Sequence, residues 1–293
     1  VTRAARGAAL LLVIWLLLLM AGLVAVFALT TRTESLQGSA LRQQSASRAA
    51  AEAGVELAAL RLSSPDVAMR WVPDARVNTF EFEGFRVQVR VQDESGKFDL
   101  NTADPVRLAA LMQVLGIEQE RALRLAGAIQ DWRDPDSLLA VQGGAEDSDY
   151  AAAELPYGAK DQPFTALSEL QQVLGMDPAT YRLLEPNITV FTGLPSPDPS
   201  FATPAVLQAL GMDAAQVAQV MAARASWEPG LPLPVLPGGS ALAVVGSGTY
   251  SVASRATRPD GTGVEVTAAL RVGAGQGFGQ LYAPLAWRTG EPD

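Results

Sequence analysis

The sequence predicts an α+β fold in which a long N-terminal helix packs on an antiparallel sheet, with a large helical insertion. Three observations carry that prediction. A charge-free apolar run over residues 8–29 continues without proline into a polar, helix-compatible stretch. Apolar/polar alternation appears over residues 80–92 and again over 248–256 and 262–272. Between those two regions the apolar period is helical.

The apolar run (AALLLVIWLLLLMAGLVAVFAL) is slightly longer than the about 20 residues that span a bilayer core. Arg3 and Arg6 precede it. The positive-inside bias then places the short N-terminal side in the cytoplasm and the bulk of the chain across the membrane. A cleaved secretory signal has a shorter apolar core, roughly 7–15 residues. Beyond the run, Ala46, Ala50, Ala53, Val55, Leu57, Leu60 and Leu62 recur close to the helical period. Ser63-Ser64-Pro65 marks the expected end, because proline disfavours continuation.

Composition limits the chemistry. The 293 residues contain no histidine and no cysteine. Histidine- or thiolate-based nucleophilic systems, histidine-ligated zinc and disulfides are therefore excluded. The formal net charge of -9 argues against phosphate-backbone binding.

The segment from Phe80 to Gln92 alternates on both sides of Gly84, as a half-buried hairpin should. A helical period follows from Asn101, where Thr102 or Asp104 can cap and Pro105 suits a first turn. Leu108, Leu111, Met112 and Leu115 share a face, Gly116 ends that helix, and a second runs from Ala122 to Ile129. The chain then turns acidic (DWRDPDSLLAVQGGAEDSDY), and helical signals return at residues 167–175. A weak repeat relates residues 108–129 to 206–223: helix, Leu-Gly turn, Ala-rich helix. The unit is similar to the helix-hairpin-helix of DNA-binding proteins, but Glu118, Glu120 and Asp213 follow the turns, and acids there repel phosphate. No nucleic-acid partner is expected. A proline-rich connection (EPGLPLPVLPGG) leads to two strands around Arg258-Pro259-Asp260-Gly261 and a last strand near residues 281–287.

Several blocks in order resemble the minor pseudopilin K family of bacterial type II secretion systems. They are Arg6-Gly7 before the apolar run, the series DESGKFDLN from Asp93, Asp131-Trp132-Arg133-Asp134-Pro135-Asp136, and Gly144-Ala145-Glu146 with Tyr150. Pro163-Phe164 with Ser168-Glu169-Leu170, and Leu285-Ala286-Trp287-Arg288, complete the series. One departure is Phe201-Ala202-Thr203-Pro204-Ala205, where the family's second repeat usually opens with Asn-Thr-Ala.

The resemblance implies a pilin-like fold and a mechanical, non-enzymatic role. It implies a prepilin leader at 1–7, a transmembrane helix at 8–30, helix extension and first strands at 31–100, a helical insertion at 101–185, and a second helical unit with the C-terminal strands at 186–293. A prepilin peptidase is expected to cut after Gly7, making Ala8 the methylated N-terminus of a single-pass protein of the bacterial inner membrane, its bulk periplasmic. Related subunits carry a glutamate at the fifth mature position that pairs with a neighbour's amine. Here Leu12 stands there, which suits the first subunit at the tip of a pseudopilus that exports folded proteins across the outer membrane.

The implied partners are other minor pseudopilins of the I and J types, with Ala46, Ala50, Val55 and Leu60 as a helix-packing stripe. Relatives hold structural calcium, and Asp134, Asp136, Glu146, Asp147 and Asp149 are oxygen donors of the kind calcium takes. The same residues read equally as a solvated acidic loop, with Asp131 and Asp134 capping helices. Two other functions stay open: a minor pilin of a type IV pilus or competence system, and a membrane-anchored hydrolase with Asp131 and Glu146 as acid and base.

Overall fold

The computed structural model describes residues 5–141, 143–228, 230–273 and 281–290, with backbone alone at 5–8, 33, 35 and 36. Residues 1–4 of the expected leader lie outside the described residues, and Gly7 and Ala8 are described only in their backbone.

Helix α1 runs over Ala5–Leu62, 58 residues in one piece. Among the described residues it holds the one stretch apolar and long enough to cross a membrane, with a mean hydropathy of 3.0 and 0% of that window buried. Its second half behaves differently. Ser47, Ala51, Gly54, Ala58 and Leu62, spaced four, three, four and four, are buried against the sheet. All but Leu62 are small, so the helix lies close to the strands. A Cβ at Gly54 would collide with Ser254 Oγ and come within 2.9 Å of Val89 Cγ2.

The expected packing stripe is corrected by this geometry. Ala50 and Val55 are both 0% exposed inside the chain's own core, whereas Leu60 is 53% exposed and Ala46 also faces out. At 100° per residue Val55 stands about 180° around the helix from Ala46, so the four residues never shared a face.

Strands β1 (Asp74–Phe82) and β2 (Phe85–Asp93) form the expected hairpin. Glu83 and Gly84 both have positive φ, 49° and 81°, the requirement of a two-residue turn that matches strand twist. In β2 the alternation puts Phe85, Val87, Val89 and Val91 beneath α1. The chain then leaves the sheet and returns only at residue 249. Strand β3 (Phe98–Asp99) is followed by α2 (Pro105–Val114), α3 (Gln119–Arg133), α4 (Asp147–Ala152) and α5 (Pro178–Leu184). Next come β4 (Ile188–Thr189), parallel to β3, then α6 (Pro204–Ala209) and α7 (Ala214–Ser226). Strands β5 (Thr249–Thr257), β6 (Gly263–Val272) and β7 (Tyr282–Gly290) complete an antiparallel sheet of order β1-β2-β5-β6-β7.

All of residues 94–248 therefore form one insertion between neighbouring strands, larger than the expected 101–185. Leu108, Leu125, Leu184, Ile188, Val206 and Val220 lie in a single core, so no boundary falls at 185. The repeat is real. Asp104 and Thr203 cap α2 and α6, each with proline in the first turn. Gly116 (φ 89°) and Gly211 (φ 97°) turn the chain, and Ile117 N–H to Met112 O (2.9 Å) repeats as Met212 N–H to Leu207 O (3.1 Å). Residues 167–172 form a 3-10 helix, shorter than the 167–175 expected, and α3 begins earlier than Ala122 because Glu118 caps it.

Candidate metal centre

The acidic segment folds around the C-terminal end of α3. Asp131 and Asp134 stand three apart, so both project from one side of the last turn. The chain loops out, returns through Gly144-Ala145, and delivers Glu146 as the residue preceding α4. One carboxylate oxygen from each of Asp131, Asp134 and Glu146 lies within 4.8 Å of the others.

Two of the three are short of partners. Glu146 Oε1 and Asp134 Oδ1 are buried atoms without a hydrogen bond. Asp131 is fully buried and accepts from Ala140 N–H (3.1 Å) and Ala145 N–H (2.9 Å). Burial, and then the neighbouring acids Asp131, Asp161, Asp134 and Asp147, push the Glu146 carboxyl up to about 6. Burial also raises Asp131 and Asp134, whose acidic neighbours raise them further. No lysine or arginine is hydrogen-bonded to these three groups among the described residues. Three converging carboxylates with orphaned buried oxygens are costly when alone, and a hard divalent cation removes that cost. The donor set is all oxygen, which fits calcium.

The expected ligand set is brought together only in part. Asp134 and Glu146 belong to the cluster. Asp131, which sequence patterning assigned to a cap, is its third member. Asp136 instead accepts from Leu138 N–H (2.9 Å), Asp147 from Ala159 N–H (3.1 Å) and Asp149 from Glu146 N–H (3.0 Å). Asp136 and Asp149 are held by a local turn and a cap, the usual fate of aspartate in a loop, and Asp147 by a segment twelve residues on. The i, i+3 spacing of Asp131 and Asp134 was the available signal; the approach of Glu146 depends on the loop's path.

An aromatic wall backs the cluster. Trp132 lies 6.0 Å from Tyr150, 6.5 Å from Tyr157 and 6.3 Å from Phe164, ring centre to ring centre. Arg133 donates to Ala103 O (2.8 Å) and to Leu100 O, tying α3 to the insertion's entry.

Residues 88–193 match the family described as type II secretion system (T2SS), protein K. Over these residues the chain is similar to that family. Similar proteins include type II secretion system protein K of Klebsiella pneumoniae, 31% identical over 206 residues, covering 62% of this chain and 62% of the relative. The Pectobacterium carotovorum protein K is 40% identical over 78 residues, 27% of this chain and 24% of its own length. The Pseudomonas aeruginosa protein K is 32% identical over 116 residues, 36% and 34% respectively. The matched part thus spans between 24% and 62% of these three relatives. A chain in the crystal structure of the GspK-GspI-GspJ complex of enterotoxigenic Escherichia coli superposes with a TM-score of 0.59 at 20% identity, over 89% of this chain and 99% of that one. That likeness bears on the protein K fold, and it includes the long helix, the antiparallel sheet and the helical insertion.

Proposed function

We propose that this chain is a minor pseudopilin at the tip of a type II secretion pseudopilus, where it initiates assembly and supports export of folded proteins across the outer membrane. The observation that carries the reading is the placement of the helical domain. The uncovered apolar half of α1 lies at one end of the helix. The 94–248 insertion is mounted at the other, where Asp93 N–H bonds Pro73 O just beyond the end of α1. A subunit so built can add its apolar helix to a bundle below it, while its wide head caps the end. Leu12, 68% exposed on that apolar half, brings no carboxylate for a preceding subunit's amine.

The partners in this reading are pseudopilins of the I and J types, by analogy with the GspK-GspI-GspJ complex of enterotoxigenic Escherichia coli. The location is the inner membrane with the head periplasmic, and processing by a prepilin peptidase after Gly7 exposes Ala8. Asp131, Asp134 and Glu146 hold structural calcium, which supplies charge neutralisation and fixes the return of the loop onto α3. The hydrolase alternative lacks support: Asp131 is fully buried, out of reach of a substrate.

Co-purification of the full chain with candidate I- and J-type pseudopilins tests the reading. A stable complex of the three is the expected result. A chain that assembles only with itself, or that N-terminal sequencing shows uncut at Gly7 in the presence of the peptidase, overturns it.

A further inference from the structure

The loop above the carboxylates presents Leu138, Leu139 and Val141 to solvent, 74%, 55% and 103% exposed. With Ala140 they make four consecutive apolar residues, a run that a solvent-facing loop does not carry without a use. The described residues of the loop are tied by hydrogen bonds. Gly143 N–H bonds Ala140 O (3.0 Å), Asp136 accepts from Leu138 N–H (2.9 Å), and buried Asp131 grips Ala140 N–H and Ala145 N–H. Glycines make the seat. A Cβ at Gly127 would strike Gly143 O, one at Gly144 would strike the Asp131 carboxylate, and Gly143 itself has φ 90°. A fully buried carboxylate and three glycines thus tie down the described residues that flank the apolar tip.

We propose that Leu138, Leu139 and Val141 form a preorganised anchor that seats in an apolar pocket of a protein partner whose pocket rim carries lysine or arginine. Fixing the tip beforehand removes ordering cost at binding, and a few apolar anchors carry most of an interface's energy. The basic rim follows from charge: Asp136, exposed and outside the three-carboxylate cluster, lies at the tip's base, where it accepts from Leu138 N–H. A second copy of this chain is disfavoured, since tip-to-tip contact opposes like charges. A lipid surface is disfavoured because anionic headgroups meet the same acids, and the tip belongs to the domain at the end of α1 remote from its apolar run. The proposal stands independently of the pseudopilin reading.

The test places the photoreactive residue benzoylphenylalanine at Val141 of the full chain, in the cells that natively make it. A single protein adduct is expected. Its yield should fall at least several-fold in Leu138→Ser and in Asp136→Asn, which removes the charge while keeping an acceptor for Leu138 N–H. Thermal melting should show both variants folded. No adduct, a lipid adduct, an adduct of two copies of this chain, or a protein adduct indifferent to both substitutions overturns the proposal. Loss of the I- and J-type complex with the adduct retained would overturn the pseudopilin reading alone.

Discussion

Lys97 Nζ donates to Ser251 Oγ at 2.9 Å, joining the entry of the helical insertion to β5, the middle strand of the sheet. Glu94 Oε1 lies 2.5 Å from the same ammonium and also accepts from Ser251 Oγ. Beside them Asp93 Oδ1 accepts from Ser95 N–H (2.8 Å) and from Ser247 Oγ (2.7 Å), one at the insertion's start and the other at its end. The two bodies are thus riveted by buried polar groups where the chain leaves and re-enters the sheet.

Lys97→Met is expected to cost roughly 3–5 kcal/mol in urea unfolding, because Glu94, 2% exposed, is left as an uncompensated buried charge. The double change Glu94→Gln with Lys97→Met should recover most of that loss. If the double variant is no better than the single one, the pair contributes by attraction and not by mutual compensation.

Gly54 and Ser254 define how closely α1 approaches the sheet. Gly54→Ala should destabilise the full chain by about 1–3 kcal/mol, the usual penalty of overpacking. Ser254 Oγ is buried without a partner, so Ser254→Ala alone should be neutral or stabilising. In the pair the Gly54→Ala penalty should shrink, since the atom it strikes is gone. A double-mutant cycle without coupling would show that the helix shifts as a body instead.

The carboxylate cluster predicts a pH dependence with a definite sign. Glu146 is raised in the folded state from 4.5 to about 6, so between those values the folded chain binds more protons than the unfolded one. Without metal, the contribution of Glu146 to stability is therefore fully present below about 4.5 and is lost as pH rises through 6, by about 2 kcal/mol at neutrality. Glu146→Gln should raise the metal-free melting temperature at pH 7 and have little effect at pH 4.5. Calcium, bound only by the folded state, should raise the melting temperature of the parent at pH 7, less so at pH 5, and not that of Glu146→Gln. Equal calcium shifts in parent and variant would remove Glu146 from the site.

Much of this was legible in the sequence because it rests on local chemistry. The end of α1 is written in Ser63-Ser64-Pro65, the hairpin in alternation around Gly84, and the paired helices in Asp104-Pro105 with Gly116 and Thr203-Pro204 with Gly211. What escaped depends on long-range closure. That Asp131 meets Glu146 is decided by how Gly143 and Gly144 pack on α3, and no period in the chain encodes that path. The extent of the insertion was hidden for the same reason: Leu184 and Val206 share a core although a proline-bearing turn and loop separate them.

The helix stripe was misread because apolar character alone does not say which apolar side is covered, and the difference yields a test of the partner surface. Val55→Glu buries a charge among Val87, Val89 and Val252 and should unfold the sheet body, losing partner binding for a trivial reason. Leu60→Glu and Ala46→Glu place the charge on the exposed side of α1, where a surface substitution shifts stability by roughly 0.5 kcal/mol or less. If pseudopilin partners pack against that side, these two variants should keep the parent melting temperature yet weaken the complex at least tenfold in pull-down titrations. Retained affinity in both would move the contact off this face of α1 and onto the apolar segment or the helical head.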